Sequence, residues 1–234
     1  MQEERQGEEF IRLYNELDHA VKQVVDVKGS TPFWKRIRMA AKSMPAIKRN
    51  MDDLLEFHEL RNAIVHHRQY PDVLLAIPTE KTLSWFRQIV GEITSPARVI
   101  PAFAREIHVF VPTSPLHEAM AYMKNHGFRQ IVARHAGKLT LVTPNGIANW
   151  LLAQVNNGRV DLRELRLEEM LEYEEQDSFR VISQNETIDN VRDLFEKANR
   201  VTPRRLYAVL VTESGAATES PLGIITPRDL LGNP

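Results

Sequence analysis

Residues 223–231 read Gly-Ile-Ile-Thr-Pro-Arg-Asp-Leu-Leu, and this stretch decides the interpretation of the C-terminal half of the chain. The glycine and the two isoleucines predict a short buried strand. Thr226-Pro227 predicts a helix start, because threonine caps helix N-termini and proline suits the first turn. Asp229 lies one turn inside that helix, so the junction brings a hydroxyl and a carboxylate close together.

The same pattern occurs twice between residues 107 and 231. The predicted strands are 107–111, 129–134, 138–143, 179–183, 206–212 and 222–226, and the predicted helices are 115–126, 186–199 and 227–231. Leu116, Ala119 and Met123 have the same mutual spacing as Ile188, Val191 and Phe195. Further along, Thr143-Pro144 matches Thr226-Pro227, and the longer loops of the second copy accommodate its additional residues.

This tandem strand, helix, strand, strand, helix repeat resembles a pair of CBS domains over roughly residues 104–234. The expected fold class is α+β: an N-terminal antiparallel helical bundle followed by a tandem CBS-domain pair of β-α-β-β-α repeats. We expect the helical bundle over 1–100, the first CBS motif over 104–156, an acidic linker helix over 157–178 and the second motif over 179–234. The linker is expected from six acidic residues between Glu168 and Asp177, a block typical of a solvent-facing helix.

The resemblance implies a regulatory protein that binds an adenine nucleotide, such as AMP, ADP or ATP, and requires no other cofactor. The Thr226 hydroxyl would meet a phosphate and the Asp229 carboxylate would bind the ribose hydroxyls. The residues expected to bind the nucleotide are Thr226, Arg228, Asp229, Ile182, Ser183 and Tyr207. The alternative is structural, because Thr-Pro-x-Asp is also a good helix-capping box.

The first copy departs from this pattern. It has Thr140 and Gly146 where the second copy has Gly223 and Asp229. Thr143 is therefore expected to have no carboxylate partner for a ribose, and we predict one good nucleotide site per chain, with the other empty, weak or used for something else.

Residues 1–100 have the periodicity of helices. Apolar residues from Phe10 to Val24 recur at three-to-four spacing. A second helix is predicted after Ser30-Thr31-Pro32, a third over 46–67 and a fourth over 79–94.

The third predicted helix ends with Arg61-Asn62-Ala63-Ile64-Val65-His66-His67, which resembles the arginine–histidine motif of HEPN domains. That resemblance implies Arg61, Asn62 and His66 as catalytic residues of a metal-independent endoribonuclease, with RNA as a partner. His58, Asn62 and His66 would form one polar line, whereas Arg61 lies about 140° from His66 around the helix. A composite site across a homodimer interface would bring them together. The alternative is a helix end whose cations face the last carbonyls.

The composition excludes several classes of function. The chain has no cysteine, which excludes thiol catalysis, disulfides and thiolate metal sites. Its net charge of −1 argues against wrapping of nucleic acid, although residues 28–50 are locally basic. No histidine spacing predicts a metal site. Without an apolar leader or an apolar run of membrane-spanning length, we expect a soluble cytoplasmic protein and no membrane partner.

Three functions remain open from sequence. The first is a CBS-pair sensor that couples a nucleotide to the helical domain. The second is a nucleotide-gated ribonuclease of the HEPN type. The third is a helical domain that only dimerises or docks a partner.

Overall fold

The computed structural model describes residues 2–25, 31–66, 76–154, 165–175, 177–201 and 205–231. The chain divides into two compact units, 1–97 and 98–234.

The N-terminal unit is helical where it is described. Its helices are α1 (Gln2–Val24), α2 (Phe33–Ala40), α3 (Pro45–Arg49), α4 (Met51–His66) and α5 (Glu80–Thr94). The apolar stripe predicted for the first helix is buried from Phe10 to Val21, where it packs with residues such as Ile37 and Phe86 in one core. Its last predicted member, Val24, is exposed.

Two details of the predicted helices differ from the structure. The third predicted helix is divided into α3 and α4 at Asn50, whose side chain donates to the Ala46 carbonyl at 2.9 Å. The N-terminus of α2 carries no side-chain cap, because Pro32 occupies the capping position; Ser30 lies outside the described residues. Thr79, in contrast, caps α5 by accepting from the Thr82 amide at 3.2 Å.

The C-terminal unit alternates short strands and helices. In chain order it contains α6 (Val99–Ala102), β1 (Val109–Phe110), α7 (Leu116–His126), β2 (Ile131–His135), β3 (Lys138–Val142), α8 (Pro144–Gln154), α9 (Leu167–Leu171), β4 (Phe179–Ser183), α10 (Ile188–Val201), β5 (Ala208–Thr212), β6 (Gly223–Ile225) and α11 (Pro227–Leu231).

The strands form two three-stranded sheets with the same connectivity. In the first, β1 is parallel to β2 and β2 is antiparallel to β3. In the second, β4 is parallel to β5 and β5 is antiparallel to β6. A parallel pair needs a crossover, and α7 and α10 supply it in the two copies. The repeat seen in the sequence is thus a structural repeat.

The two sheets share a core. Val132, Leu139 and Leu141 of the first sheet cluster with Ala208 and Leu210 of the second. The loop before β6 also bonds to the hairpin of β2 and β3, because the Leu139 amide donates to the Ala217 carbonyl at 2.8 Å. Both strand–helix junctions therefore belong to one compact unit.

The acidic segment before the second copy is not a plain solvent-facing helix. Within it, α9 buries Leu167, Met170 and Leu171 against the first copy. These apolar residues are interspersed with acidic ones in the sequence, so the block of negative charge gave no indication of a buried helix face. Among the described residues, no helix combines the length and the apolarity needed to cross a bilayer.

Candidate functional site

The Thr226–Asp229 junction forms as the spacing predicts. Asp229 Oδ2 accepts from the Thr226 amide at 2.7 Å and from the Thr226 hydroxyl at 2.6 Å. The Asp229 amide donates in turn to the Thr226 carbonyl at 3.1 Å. These contacts are those of a helix cap, and both contacts to the side chain use Oδ2 and not the second carboxylate oxygen, Oδ1.

The Arg105 guanidinium donates to that second oxygen. Its Nη2 lies 3.1 Å from Asp229 Oδ1, and the two side chains remain 42% and 26% exposed. Burial alone would raise the pKa of Asp229, but hydrogen bonds from Thr226 and Arg105 outweigh it, so the pKa lies below the usual value. The carboxylate is therefore ionised at neutral pH, beside an exchangeable cation.

The position of Arg105 depends on Gly223. Ala104 forms a β-bridge with Gly223, and the Arg105 amide donates to the Leu222 carbonyl at 3.1 Å. A Cβ on Gly223 would lie 2.4 Å from the Phe103 carbonyl oxygen. Only glycine lets the 103–105 segment run this close to β6, and this contact brings the guanidinium to Asp229.

The other residues predicted to bind the nucleotide are spread over the sheet. Ser183 pairs with Thr212, whereas Ile225, the residue before Thr226, pairs with Val209. At about 3.3 Å per residue, Ser183 and Thr226 are separated by roughly 13 Å along the strands. The Ser183 hydroxyl donates to the Glu213 carbonyl at 3.0 Å.

Ile182, next to Ser183, packs against the core of the second copy. Arg228 is exposed on α11, beside Asp229. Tyr207 contacts the first copy, since its hydroxyl accepts from Asn145 Nδ2 at 2.8 Å. The structure thus groups Thr226 and Asp229 with Arg105, and places Ile182 and Ser183 further along the strands. Tyr207 lies at the same end of the sheet as Thr226, because the register of β5 and β6 continues to Ala208 opposite Thr226.

The expectation that Thr143 has no carboxylate partner for a ribose stays a prediction, but a carboxyl group does bind Thr143. Glu174 Oε1 accepts from the Thr143 amide at 2.7 Å, and Oε2 accepts from the Thr143 hydroxyl at 2.8 Å. The hydroxyl also caps α8 by accepting from the Gly146 amide at 3.0 Å. Burial raises the pKa of Glu174 to about 7 despite these two hydrogen bonds.

Sequence reasoning missed Arg105 and Glu174, because each contacts a residue distant from it in the sequence. In the register that aligns Leu116 with Ile188, the segment 103–105 that precedes the first sheet corresponds to 175–177, directly after Glu174. Both residues therefore lie on segments that lead into a sheet. A glycine at 146 in place of an aspartate also indicates room beside Thr143 that another side chain can fill.

In the helical unit, Arg61 and Asn62 belong to a network around His58. Asn62 Nδ2 lies 3.4 Å from His58 Nε2, and Arg61 Nη1 lies 3.4 Å from Asn62 Oδ1. The Tyr14 hydroxyl lies 2.6 Å from His58 Nδ1, and the Arg61 guanidinium stacks 5.6 Å from the Tyr14 ring centre. Burial lowers the pKa of His58, so its imidazole is mainly neutral at pH 7. The side chain of His66, the predicted catalytic histidine, lies outside the described part of the structure.

The described residues contain no group of three or more histidine, aspartate or glutamate side chains placed to hold a metal ion.

Comparison with known proteins identifies a CBS domain in the second copy. The CBS domain family matches residues 176–233. No curated protein matches the chain.

Solved structures with a similar fold are CBS-domain proteins of low sequence identity. CbpB in complex with c-di-AMP is 16% identical with a TM-score of 0.45, covering 62% of this chain and 90% of its own. CBSX2 in complex with AMP is 11% identical with a TM-score of 0.42, covering 58% and 93%. Protein MJ1225 from Methanocaldococcus jannaschii is 16% identical with a TM-score of 0.44, covering 74% and 62%. At this level of similarity, the ligands of these proteins carry no argument about this chain.

Proposed function

We propose that this chain is a regulatory protein whose C-terminal unit is a tandem CBS pair that binds an adenine nucleotide at Thr226, Asp229 and Arg105. The observation that carries the proposal is the ionised Asp229 carboxylate. One of its oxygens accepts from the Thr226 hydroxyl, and the other pairs with the partly exposed Arg105 guanidinium. The family match to residues 176–233 supports the class of protein. The matching connectivity of the two sheets supports a second CBS motif ahead of it.

The chemistry of the junction suits a ribose phosphate. A ribose presents two neighbouring hydroxyl donors, which Asp229 Oδ1 can accept once Arg105 moves away. The ion pair between Arg105 and Asp229 is exposed and hence weak, so its exchange costs about 1 kcal/mol or less. The released guanidinium then becomes a donor for the phosphate, to which arginine binds well.

Calorimetric titration with AMP, ADP and ATP tests the proposal. We expect the wild-type chain to bind at least one of them, and Asp229→Ala to weaken binding about 10- to 100-fold, the cost of losing hydrogen bonds to a charged group. Asp193→Asn is the matched control, because Asp193 is also ion-paired, to Lys197 on α10, at 2.5 Å. Equal affinities for the wild type and Asp229→Ala, or no binding of any nucleotide by the wild type, would contradict the proposal.

For the helical unit, a second candidate function is cleavage of RNA by a homodimer, with the nucleotide as regulator. The contact between Arg61 and Asn62 supports it, because a guanidinium and an amide lie together on α4 where the motif is expected to bind phosphate. The expected proton acceptor is His66. The test is incubation with labelled single-stranded RNA in EDTA, beside Arg61→Ala and His66→Ala. Loss of cleavage in both variants is the expected result. Equal cleavage by all three proteins would remove Arg61 and His66 from the mechanism. No cleavage by the wild type would leave the helical unit as a dimerisation or docking domain.

A further inference from the structure

The two copies differ in the charge that reaches their strand–helix junctions. The segment before the first sheet crosses the second copy and brings Arg105 to Asp229. The segment before the second sheet crosses the first copy and brings Glu174 to Thr143. Glu175 follows and accepts from Asn145 Nδ2 at 3.2 Å. One junction therefore meets a cation and the other meets two carboxyl groups.

Glu174 also fills the space that an aspartate would need. Gly146 is the counterpart of Asp229 when Thr143 is aligned with Thr226. A Cβ placed on Gly146 would lie 2.1 Å from Glu174 Oε1 and 2.6 Å from Oε2. The Glu174 carboxyl group thus occupies the position where the missing aspartate side chain would begin.

Access to the two threonines differs in the same direction. Thr143 is 1% exposed beneath Glu174. Thr226 is only partly buried, and the Asp229 side chain is 26% exposed. A phosphate approaching Thr143 would have to displace Glu174 and lie near Glu175, which like-charge repulsion opposes.

We propose that Glu174 determines which of the two strand–helix junctions binds the nucleotide. Its side chain fills the first half-site, the junction at Thr143, and leaves the second half-site, the junction at Thr226, as the binding site. This inference rests on the proposed nucleotide function and names its specificity determinant. Glu174 acts by occupying the site and does not contact the ligand.

The test restores the first half-site and counts bound ligand by calorimetry with AMP. The double variant Gly146→Asp/Glu174→Ala removes the carboxyl group and rebuilds the Thr-x-x-Asp pattern of the second copy. We expect one equivalent of AMP for the wild type and two for the double variant. Glu174→Gln, which keeps the volume and one acceptor oxygen, should still bind one equivalent.

Two equivalents in the wild type, or one in a folded double variant, would overturn the inference and leave the proposed function intact. No binding of AMP, ADP or ATP by either protein would overturn both. If the double variant does not fold, exchange of the Thr143 amide hydrogen decides. That exchange should be at least about tenfold faster in Glu174→Ala, because the amide loses its carboxyl acceptor. The exposed Glu172→Ala is the control. An unchanged rate in Glu174→Ala would overturn the inference.

Discussion

Thr143 and Thr226 each follow the last residue of a strand, and a carboxyl group binds each of them in a different way. Asp229 comes from one turn further along the same helix, so the spacing in the sequence predicts the contact. The carboxyl group that binds Thr143 belongs to Glu174, which lies 31 positions further along the chain, after α8 and α9. No local pattern connects it to Thr143, because the contact depends on how the segment after α9 packs. Sequence reasoning therefore predicted one of these contacts and missed the other.

Glu174 should make stability depend on pH. Its carboxyl pKa is about 7 in the folded chain, against a reference of 4.5. A raised pKa means that the folded state binds the proton more tightly, so the stabilisation is complete below pH 4.5 and is lost as pH rises through 7. We expect the free energy of unfolding of the wild type, relative to Glu174→Gln, to fall by up to about 3 kcal/mol between pH 4.5 and 8.

Urea denaturation at several pH values measures this difference, with Glu172→Gln as the exposed control. Tyr207 and Glu175 lie near Glu174, but the Glu174→Gln comparison retains both. Parallel pH profiles for the wild type and Glu174→Gln would show that the carboxyl group titrates as in water.

Arg105 should affect ligand binding more than stability. Its ion pair with Asp229 is partly exposed, so Arg105→Gln should lower the free energy of unfolding by less than about 1 kcal/mol. If the guanidinium binds the phosphate, the same variant should weaken AMP about tenfold or more and leave adenosine nearly unchanged.

Calorimetry with both ligands separates the two effects. Arg180→Gln is the matched control, because Arg180 forms a similar exposed pair with Asp177 at 3.0 Å. Equal losses for AMP and adenosine would place Arg105 away from the phosphate.

Among the elements, the strands of the second copy were predicted better than those of the first. β4 has the predicted bounds, because its β-branched run pairs with β5 along its whole length. Of the predicted strand 107–111, only Val109 and Phe110 pair with β2. The Val111 amide donates instead to the Ser114 hydroxyl, at 3.2 Å. A side-chain turn that competes with the sheet is difficult to see in a β-branched run.

Gly223 links β6 to the segment that carries Arg105. Gly223→Ala would place a Cβ against the Phe103 carbonyl, a backbone atom that cannot move alone. We expect a loss of about 1–3 kcal/mol in the free energy of unfolding, as for other overpacked sites. AMP affinity should fall too, because Arg105 is displaced from Asp229.

Gly91→Ala is the control for this substitution. Gly91 lies inside α5, and a Cβ added there would meet no atom within 4 Å apart from the backbone of its own helix, so alanine should stabilise the chain by about 0.5–1 kcal/mol. If Gly223→Ala is as stable as the wild type, the 103–105 segment has room to shift.

In the whole molecule, repetition predicted the two copies but not the difference between them. The repeated spacings place two similar motifs in one unit, and the sheets confirm the repeated connectivity. The two copies differ in charge at their strand–helix junctions. The segment before the first sheet brings Arg105 to Asp229, whereas the segment before the second sheet brings Glu174 to Thr143. Their arrival depends on the packing of the two copies against each other, which a single motif does not encode. Two copies of the same fold can therefore differ in whether their strand–helix junction is filled by a side chain of the protein.

Amide chemical-shift mapping during an AMP titration tests this account most directly. We predict that the largest shifts fall on residues 105, 226 and 229, while Thr143 and Gly146 remain unchanged. Shifts centred on residues 143–146, or no shifts in either copy at saturating AMP, would contradict it.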